Sequence, residues 1–448
     1  MPAPGGCRGT PKVAAPTGEA RRLEAVMATA RVQLDYAQHR AGLETLNPWR
    51  NVSTDPPRDA AAHYLRGQLA GGAGDDALAQ AELKRAAELS AELGDDRAVA
   101  EAWIARISIA ADRDVDQEFA RSLCDVADVA VTRANDDALL RAGLLQACAG
   151  IEFRAANWEE AERLQRRAAE RAAAAAGPEH PKVSRALINL GSVLRLRGDF
   201  DGAIAQHRRA LEIAERSYGP AHPRVAKVEA ALGADFGAKG LLPRAREHLQ
   251  RALAVYHQTL PDDHPNIISV LADLGRVARE LGDLDAAEGL AERVVAARRD
   301  AGGIRLANAL LRRAEVRLER GEIVEAQVDF SEAAELMEAL HGPQYAPLSG
   351  PLVGLGKCAL ALNDHAAAVA PLKRALALRG DTKNQSVLAS VEFLLAKASW
   401  GEGIDRAGAV RLAHAAAARY RTIAPDHAES LAAVQQWLTD HEPLLREH

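Results

Sequence analysis

Aromatic residues are scarce in this chain, at 4% of its 448 residues, although apolar residues as a group make up 48%. A core must therefore be built from alanine, leucine and valine. Such residues suit close-packed helices better than sheets, which favour β-branched and aromatic side chains. The sequence also lacks any run of about 18 apolar residues, so it predicts no membrane-spanning helix.

The chain also contains few cysteines and no large excess of either charge. Cys7, Cys124, Cys148 and Cys358 show no Cys-x-x-Cys spacing, and we expect unpaired thiols in a reducing compartment rather than disulfides or zinc ligands. The net charge of −6 arises from 56 basic and 62 acidic residues that are interspersed, which excludes a basic stripe for nucleic acid. The first residues lack the apolar segment of a signal peptide. We therefore expect a cytoplasmic protein that binds neither nucleic acid nor membranes.

A repeat of 42 residues runs through the middle of the chain. The dipeptide His-Pro begins at His180, His222 and His264. Small residues follow each histidine at fixed distances, namely Gly191, Gly233 and Gly275, then Gly198, Gly240 and Gly282, then Ala203, Ala245 and Ala287, then Ala210, Ala252 and Val294. This period predicts one supersecondary unit per repeat.

The spacing within one repeat is typical of a helical hairpin. Small residues at Gly191 and Ala203 allow two helices to approach closely. Gly198 suits the left-handed residue that follows a helix, and Asp199 suits the N-cap of the next helix. The proline after His180 stands where a first-turn proline costs little. Each hairpin is apolar on both broad faces and must stack on its neighbours.

This pattern resembles the tetratricopeptide repeat family, and within it the kinesin-light-chain-like variant of 42 residues. The segment HPKVSRALINLGSVLRLRGDFDGAIAQHRRALEIAERSYGPAHP carries the resemblance most fully. It implies an all-α fold, a right-handed superhelical solenoid of stacked hairpins. The predicted segments are a disordered tail (1–18), a helix and loop (19–56), degenerate hairpins (57–135), kinesin-light-chain-like repeats (136–380), a further hairpin (381–422) and a capping helix with a tail (423–448).

The triplet Asp235-Phe236-Gly237 looks like the magnesium-binding loop of a protein kinase. A kinase also needs an upstream His-Arg-Asp loop and a glycine-rich loop followed by a lysine strand, and neither is present. In the repeat frame the triplet instead falls near the end of a first helix. We therefore predict that it is structural and that Phe236 is a core residue.

No other pattern predicts catalysis. The three His-Pro histidines lie one helix spacing or more apart, roughly 8–10 Å, whereas zinc requires ligands at about 2 Å. We expect them to begin helices. Motifs of nucleophilic hydrolases, P-loops and metalloproteases are missing from the sequence. The sequence therefore predicts no catalytic residue, no metal site and no cofactor, and a protein that is not an enzyme.

The residues that the repeat frame places on the groove side of the first helices are the candidate binding residues. They are Arg185, Asn189, Ser192, Arg195, Arg276, Arg279 and Asn308. The arginines would suit an acidic or carboxylate-bearing peptide. The family resemblance implies that Asn189 holds the backbone of such a peptide, although the next equivalents are Ala231 and Asp273. The alternative is that the arginines are merely solvated or pair with Glu280 and Glu315.

Three functions agree with the sequence. The first is a scaffold or adaptor that binds a partner protein or peptide in the groove. The second comes from a resemblance to the C-terminal repeat regions of large bacterial serine/threonine protein kinases, which would make the chain a regulatory or detached region acting with a kinase. The third is a sensor whose superhelical pitch changes when it binds a peptide. Fold alone does not decide between them.

Overall fold

The computed structural model describes residues 18–49, 55–111, 117–300, 302–380, 384–403 and 405–445. Within these ranges the chain forms α-helices and short 3-10 turns and contains no strand, which confirms the predicted all-α class. The chain divides into two compact units, residues 1–262 (unit 1) and residues 263–448 (unit 2). The predicted tail lies outside the described residues except for Gly18. The other predicted segment boundaries stay predictions.

Unit 1 contains twelve helices in its described part. They are α1 (Gly18–Asp35), α2 (His39–Leu46), α3 (Pro56–Ala73), α4 (Asp76–Glu92), α5 (Asp96–Ala111), α6 (Gln117–Arg133), α7 (Ala138–Arg154), α8 (Trp158–Ala176), α9 (Pro181–Leu196), α10 (Phe200–Tyr218), α11 (Pro223–Ala238) and α12 (Leu242–Thr259). Consecutive helices from α3 onward pack as hairpins, whose first helices are α3, α5, α7, α9 and α11.

Unit 2 contains nine helices in its described part. They are α13 (Pro265–Glu280), α14 (Leu284–Arg299), α15 (Gly303–Arg320), α16 (Ile323–His341), α17 (Ser349–Ala361), α18 (His365–Leu378), α19 (Gln385–Glu402), α20 (Arg406–Thr422) and α21 (Ala428–His441). The first helices of its hairpins are α13, α15, α17 and α19, and α21 packs against α20.

The His-Pro dipeptides begin helices, as predicted. The imidazole Nδ1 of His180 accepts a hydrogen bond from the backbone N–H of Lys182, at 3.2 Å. His222 and His264 accept the equivalent bonds at 3.1 Å, and the following proline is the first helical residue in each case. A nitrogen acceptor at this position satisfies one of the backbone donors left free at a helix start.

The hairpin turns also follow the sequence prediction. Gly198 follows α9 with φ of +85°, a left-handed conformation that glycine adopts without steric cost. Asp199 then caps α10 by accepting from the backbone N–H of Gly202. Ala203, Ala245 and Ala287 are fully buried at the start of the second helices. The repeat frame therefore correctly placed both ends of the turn and the close contact behind it.

The Asp-Phe-Gly triplet is structural. It lies in the last turn of α11, and Phe236 is 1% exposed in the core. Phe236 stacks against the ring of His248, with centroids 5.1 Å apart. The prediction for the triplet is confirmed.

The prediction of unpaired cysteines is wrong for one pair. Cys124 on α6 and Cys148 on α7 form a disulfide, with Cα atoms 6.0 Å apart, a distance typical of disulfides. The two helices pack together, and this brings residues 24 positions apart within bonding reach. Cys358 is a buried free thiol, and Cys7 lies outside the described residues. The expectation of a reducing compartment therefore loses the support of the cysteine pattern.

Candidate functional site

One side of α9 carries four of the predicted binding residues of unit 1. Arg185 is exposed there, whereas Asn189, Ser192 and Arg195 are half-buried. The hydroxyl of Ser192 donates to the backbone carbonyl of Ile188 in the same helix, at 3.1 Å. We call the part of this surface formed by Lys182, Arg185 and Asn189 the α9 face.

Arg195 is already engaged inside the protein. Its Nε lies 3.2 Å from Oδ1 of Asp235, a fully buried carboxylate on α11. The other oxygen, Oδ2, lies 2.5 Å from Nδ1 of His207, and Nε2 of His207 lies 2.9 Å from the carbonyl oxygen of Ile188. This arrangement links α9, α10 and α11, so Arg195 is a structural residue rather than a free contact for a partner.

Arg185 differs from Arg195 because no carboxylate lies within ion-pair distance of it in the described chain. Loss of hydration among the surrounding protein atoms lowers the pKa of its guanidinium, and the nearby Arg224 lowers it further. Lys182, one turn earlier, has its pKa lowered by burial as well. Both groups remain cations at neutral pH, because their ordinary pKa values are far above 7. The α9 face therefore presents two under-hydrated positive charges.

The last residue of α1 and the turn that follows it lie near the α9 face. The carboxylate of Asp35 accepts a hydrogen bond from Nη2 of Arg224 on α11 at 2.9 Å. The ring of Tyr36 lies 4.9 Å from the ring of His222. Gln38 donates to the carbonyl of Thr259 at 3.2 Å. Within the described part of the chain, Arg224 thus has a carboxylate at ion-pair distance and Arg185 has none.

The predicted arginines of unit 2 are paired with carboxylates. Arg276 lies 2.9 Å from Glu280, and Arg279 lies 2.8 Å from Glu319 and 3.6 Å from Glu315. The alternative considered from the sequence, pairing with Glu280 and Glu315, is therefore what the structure shows. That Arg276 and Arg279 contact a partner stays a prediction.

Arg276, Arg279 and Asn308 nevertheless meet around one cavity of about 350 Å³ in unit 2. The cavity lies between the first helices α13 and α15 and over the second helix α14, and we call it the α14 cavity. Its apolar lining is formed by Leu271, Ala272, Gly275, Ala287, Ala291, Val294, Ala309 and Val316, and its polar lining by Asp273, Arg276, Arg279, Arg298, Asn308 and Arg312.

Sequence reasoning missed Lys182, Arg224 and Arg298. Lys182 and Arg224 directly follow the prolines that begin α9 and α11, so the repeat frame contained a signal for them. Arg298 lies on the second helix α14, whereas the repeat frame places the groove on the first helices.

No group of three His, Cys, Asp or Glu side chains that could hold a metal occurs among the residues that the structure describes. None of the described helices has the length and apolar character needed to cross a bilayer.

The tetratricopeptide repeat profile matches residues 142–216, 188–258, 224–300 and 305–381, which together make up more than half of the chain. No curated protein sequence matches the chain.

Three solved structures illustrate the similarity. A signal transduction ATPase with numerous domains and a tetratricopeptide repeat sensor, from Pyrococcus horikoshii, has a TM-score of 0.60 and 13% identity, covering 87% of this chain and 57% of that one. A Rap protein complexed with Competence and Sporulation Factor has a TM-score of 0.51 and 17% identity over 87% of this chain and 98% of that one. A putative kinesin light chain repeat protein of Podosopora anserina has 20% identity and a TM-score of 0.39 over 44% and 94%.

The hairpin repeats, the caps that define their period and the profile matches agree with one another. This chain belongs to the tetratricopeptide repeat family.

Proposed function

We propose that the chain is a non-enzymatic scaffold that binds an acidic segment of a partner protein on the α9 face. The observation that carries this proposal is the state of Arg185. It is an exposed cation that has lost hydration, and no carboxylate of the described residues lies at ion-pair distance from it, whereas Arg195, Arg276 and Arg279 all have one.

A carboxylate of the partner would neutralise positive charge on the α9 face. A cation that has lost hydration gains more from a carboxylate than a fully solvated one, because the charges attract more strongly at a lower effective dielectric. Charge-assisted hydrogen bonds from arginine are also about twice as strong as neutral ones. Asn189, one turn from Arg185, offers an amide that can donate to and accept from a peptide backbone.

The structural neighbours support a role in binding at the level of the fold. The Rap protein was solved with Competence and Sporulation Factor, and the Pyrococcus protein is described as carrying a repeat sensor. From these two structures the proposal takes only that a repeat array of this fold can bind another molecule. Association with a kinase and a cytoplasmic location stay predictions from the sequence.

A charge-reversal experiment tests the proposal. The purified chain and its Arg185→Glu variant are used to capture proteins from a lysate of the source organism, with recovery quantified by mass spectrometry. Arg171→Glu is the matched control, because Arg171 is exposed on the second helix α8. We expect a protein that wild type and Arg171→Glu recover equally and that Arg185→Glu recovers at least tenfold less. Equal recovery of every captured protein by all three chains would contradict the proposal.

A further inference from the structure

The second helices of seven hairpins share two buried positions. In the repeat frame these positions come 12 and 19 residues after the small residue of the first helix, such as Gly191 on α9. They hold alanine or, once, valine, and at most 3% of the residue is exposed. The residues are Ala79 and Ala86, Ala161 and Ala168, Ala203 and Ala210, Ala245 and Ala252, Ala287 and Val294, Ala326 and Ala333, and Ala368 and Ala375.

The helix α6 departs from this pattern. Counted back 42 residues from α8, the same two positions hold Phe119 and Val126. Phe119 is 51% exposed and Val126 is 43% exposed, whereas the residues that directly follow them, Ala120 and Ala127, are buried. Successive residues of a helix point in directions about 100° apart. Relative to the other second helices, α6 is therefore turned about its own axis, with its larger apolar residues toward solvent.

The disulfide between α6 and α7 accounts for this turn. In the repeat frame Cys124 corresponds to Arg208 and Gln250, which are exposed on α10 and α12. Cys148 corresponds to Leu190, which is buried on α9. The S–S bond thus joins a position of α6 that faces outward in other hairpins to a position of α7 that faces inward. The two sulfurs can meet only when α6 turns.

The surroundings of α6 agree with its displacement. The first helices α5 and α7 pack broadly against each other, whereas the first helices of other successive hairpins touch only slightly. Five residues separate the end of α5 at Ala111 from the start of α6 at Gln117, and two or three separate the helices of the other hairpins. This longer connection gives α6 the freedom to turn and to move relative to α5.

We propose that the Cys124–Cys148 disulfide is a redox-sensitive latch that holds α6 in its turned orientation. A dithiol reductant breaks the S–S bond and is itself oxidised to a disulfide, and each cysteine sulfur gains one electron and one proton to become a thiol. Without the bond, α6 turns back toward the frame of the other hairpins. Phe119 and Val126 become buried and Cys124 becomes exposed. The hydrophobic effect drives this turn, because two apolar side chains leave water.

The latch changes an outer surface of unit 1 with the redox state. In the disulfide form Phe119, Val126 and Val129 are all exposed, and their spacing places them on one side of α6. Reduction withdraws the first two from this surface. The proposal goes beyond binding at the α9 face and does not depend on it.

Alkylation of the two cysteines tests the turn of α6. The full-length chain is reduced with dithiothreitol, separated from the reductant and treated with iodoacetamide, and modification of each cysteine is followed by peptide mass spectrometry. We expect Cys124 to react at least tenfold faster than Cys148, because the turn exposes Cys124 and leaves Cys148 inside. Both are half-buried in the present orientation of α6. Comparable rates for the two cysteines would therefore overturn the proposal.

The exposure of Phe119 provides the second measurement. The chain is labelled with 4-fluorophenylalanine, and the resonance of position 119 is identified among the six phenylalanines with Phe119→Leu. The difference in fluorine chemical shift between H2O and D2O reports how exposed a ring is. We expect this difference to fall at least twofold for Phe119 on reduction and to stay constant for Phe330, which is buried in unit 2. A ring that stays exposed would mean that the size of Phe119, rather than the disulfide, turns α6.

Two variants complete the test. Cys148→Ser cannot form the bond, so under oxidising conditions its Phe119 ring should already be as protected as in the reduced wild type. Cys358→Ala is the matched control, because Cys358 has no disulfide partner, and it should respond to reduction as wild type does. Equal exposure of Phe119 in Cys148→Ser and in the oxidised wild type would contradict the latch. The two measurements on wild type decide the question if Cys148→Ser fails to fold by circular dichroism.

Discussion

His207 is fully buried between two oxygen atoms from neighbouring helices. Its Nδ1 lies against the carboxylate of Asp235, and its Nε2 lies against the carbonyl oxygen of Ile188. The other oxygen of Asp235 lies 3.2 Å from Nε of Arg195. A buried carboxylate with two partners therefore lies at the junction of α9, α10 and α11. Such a pair is costly to break, because the group that remains stays buried without its partner.

We predict that Asp235→Val destabilises unit 1 by about 3–5 kcal/mol, the range typical of removing one member of a buried ion pair. The urea midpoint, followed by circular dichroism, should fall accordingly. Adding His207→Leu should recover most of the loss, since Leu249 and Val277 occupy these positions one repeat later. If the single variant is harmless, or the double variant is no better than the single, the ion-pair account is wrong.

Cys358 provides a second prediction for a single residue. Burial raises the pKa of its thiol to about 11, so at pH 8 only about one thiol in a thousand is the reactive thiolate. Iodoacetamide should modify Cys358 slowly in the folded chain and rapidly in urea. Because the pKa in the folded state is above the ordinary value of 9.0, the thiol stabilises the fold below pH 9 and loses this contribution as pH rises to 11. The difference in unfolding midpoint between wild type and Cys358→Ala should shrink over that range.

At the scale of helices, two glycine substitutions in unit 2 should have opposite effects on stability. Gly275→Ala should raise stability by up to about 1 kcal/mol, because alanine favours a helix and the added Cβ would make an ordinary van der Waals contact with Leu290, at 3.5 Å. Gly356→Ala should lower stability, because its Cβ would lie 2.5 Å from Cγ of Leu372. Unfolding midpoints of the two variants measure this. Effects of the same sign would show that the two helix contacts do not differ as described.

The last residue of α1 provides a further prediction. Asp35 neutralises Arg224, which itself lies near Arg185, so Asp35→Asn should leave the α9 face more positive. The pair is largely solvated, and we expect stability to change by no more than about 1 kcal/mol. Affinity for an acidic segment should rise severalfold relative to wild type. Asp300→Asn, an exposed change of the same charge in unit 2, is the control and should have no effect on this binding.

The helical elements were predictable because each is marked by local chemistry. The start of α9 is marked by His180 and the following proline, and its end by Gly198. The start of α10 is marked by its N-cap Asp199. The Asp-Phe-Gly triplet could be assigned because the repeat frame fixed its place in α11. The Cys124–Cys148 disulfide could not be predicted, since it depends on which sides of α6 and α7 face each other.

The candidate sites were predictable only in part. The repeat frame identified Arg185 but could not show that Arg195 is tied to Asp235, because Asp235 stands where Val193 and Val277 stand in neighbouring repeats. Small residues on two helices, Gly275 and Ala291, line the α14 cavity. Both can be read from the sequence, but only the structure shows that they border the same cavity.

At the scale of the whole molecule, net charge does not indicate the partner. The chain carries a net charge of −6, which would disfavour acidic partners if it were evenly distributed. The structure instead shows many arginines and lysines satisfied by nearby carboxylates, and a few cations left without one. Binding is expected to depend on the cations of the α9 face, Lys182 and Arg185 in unit 1.

The most direct test of the central claim is the affinity of the captured partner's acidic segment for the full-length chain and its Arg185→Glu variant, measured by titration calorimetry. We predict that Arg185→Glu weakens binding at least tenfold, or about 1.4 kcal/mol. Replacing one carboxylate of the segment by lysine should restore part of this loss in the variant and weaken binding to wild type. Equal affinities for wild type and Arg185→Glu would contradict the assignment of the α9 face as the binding surface.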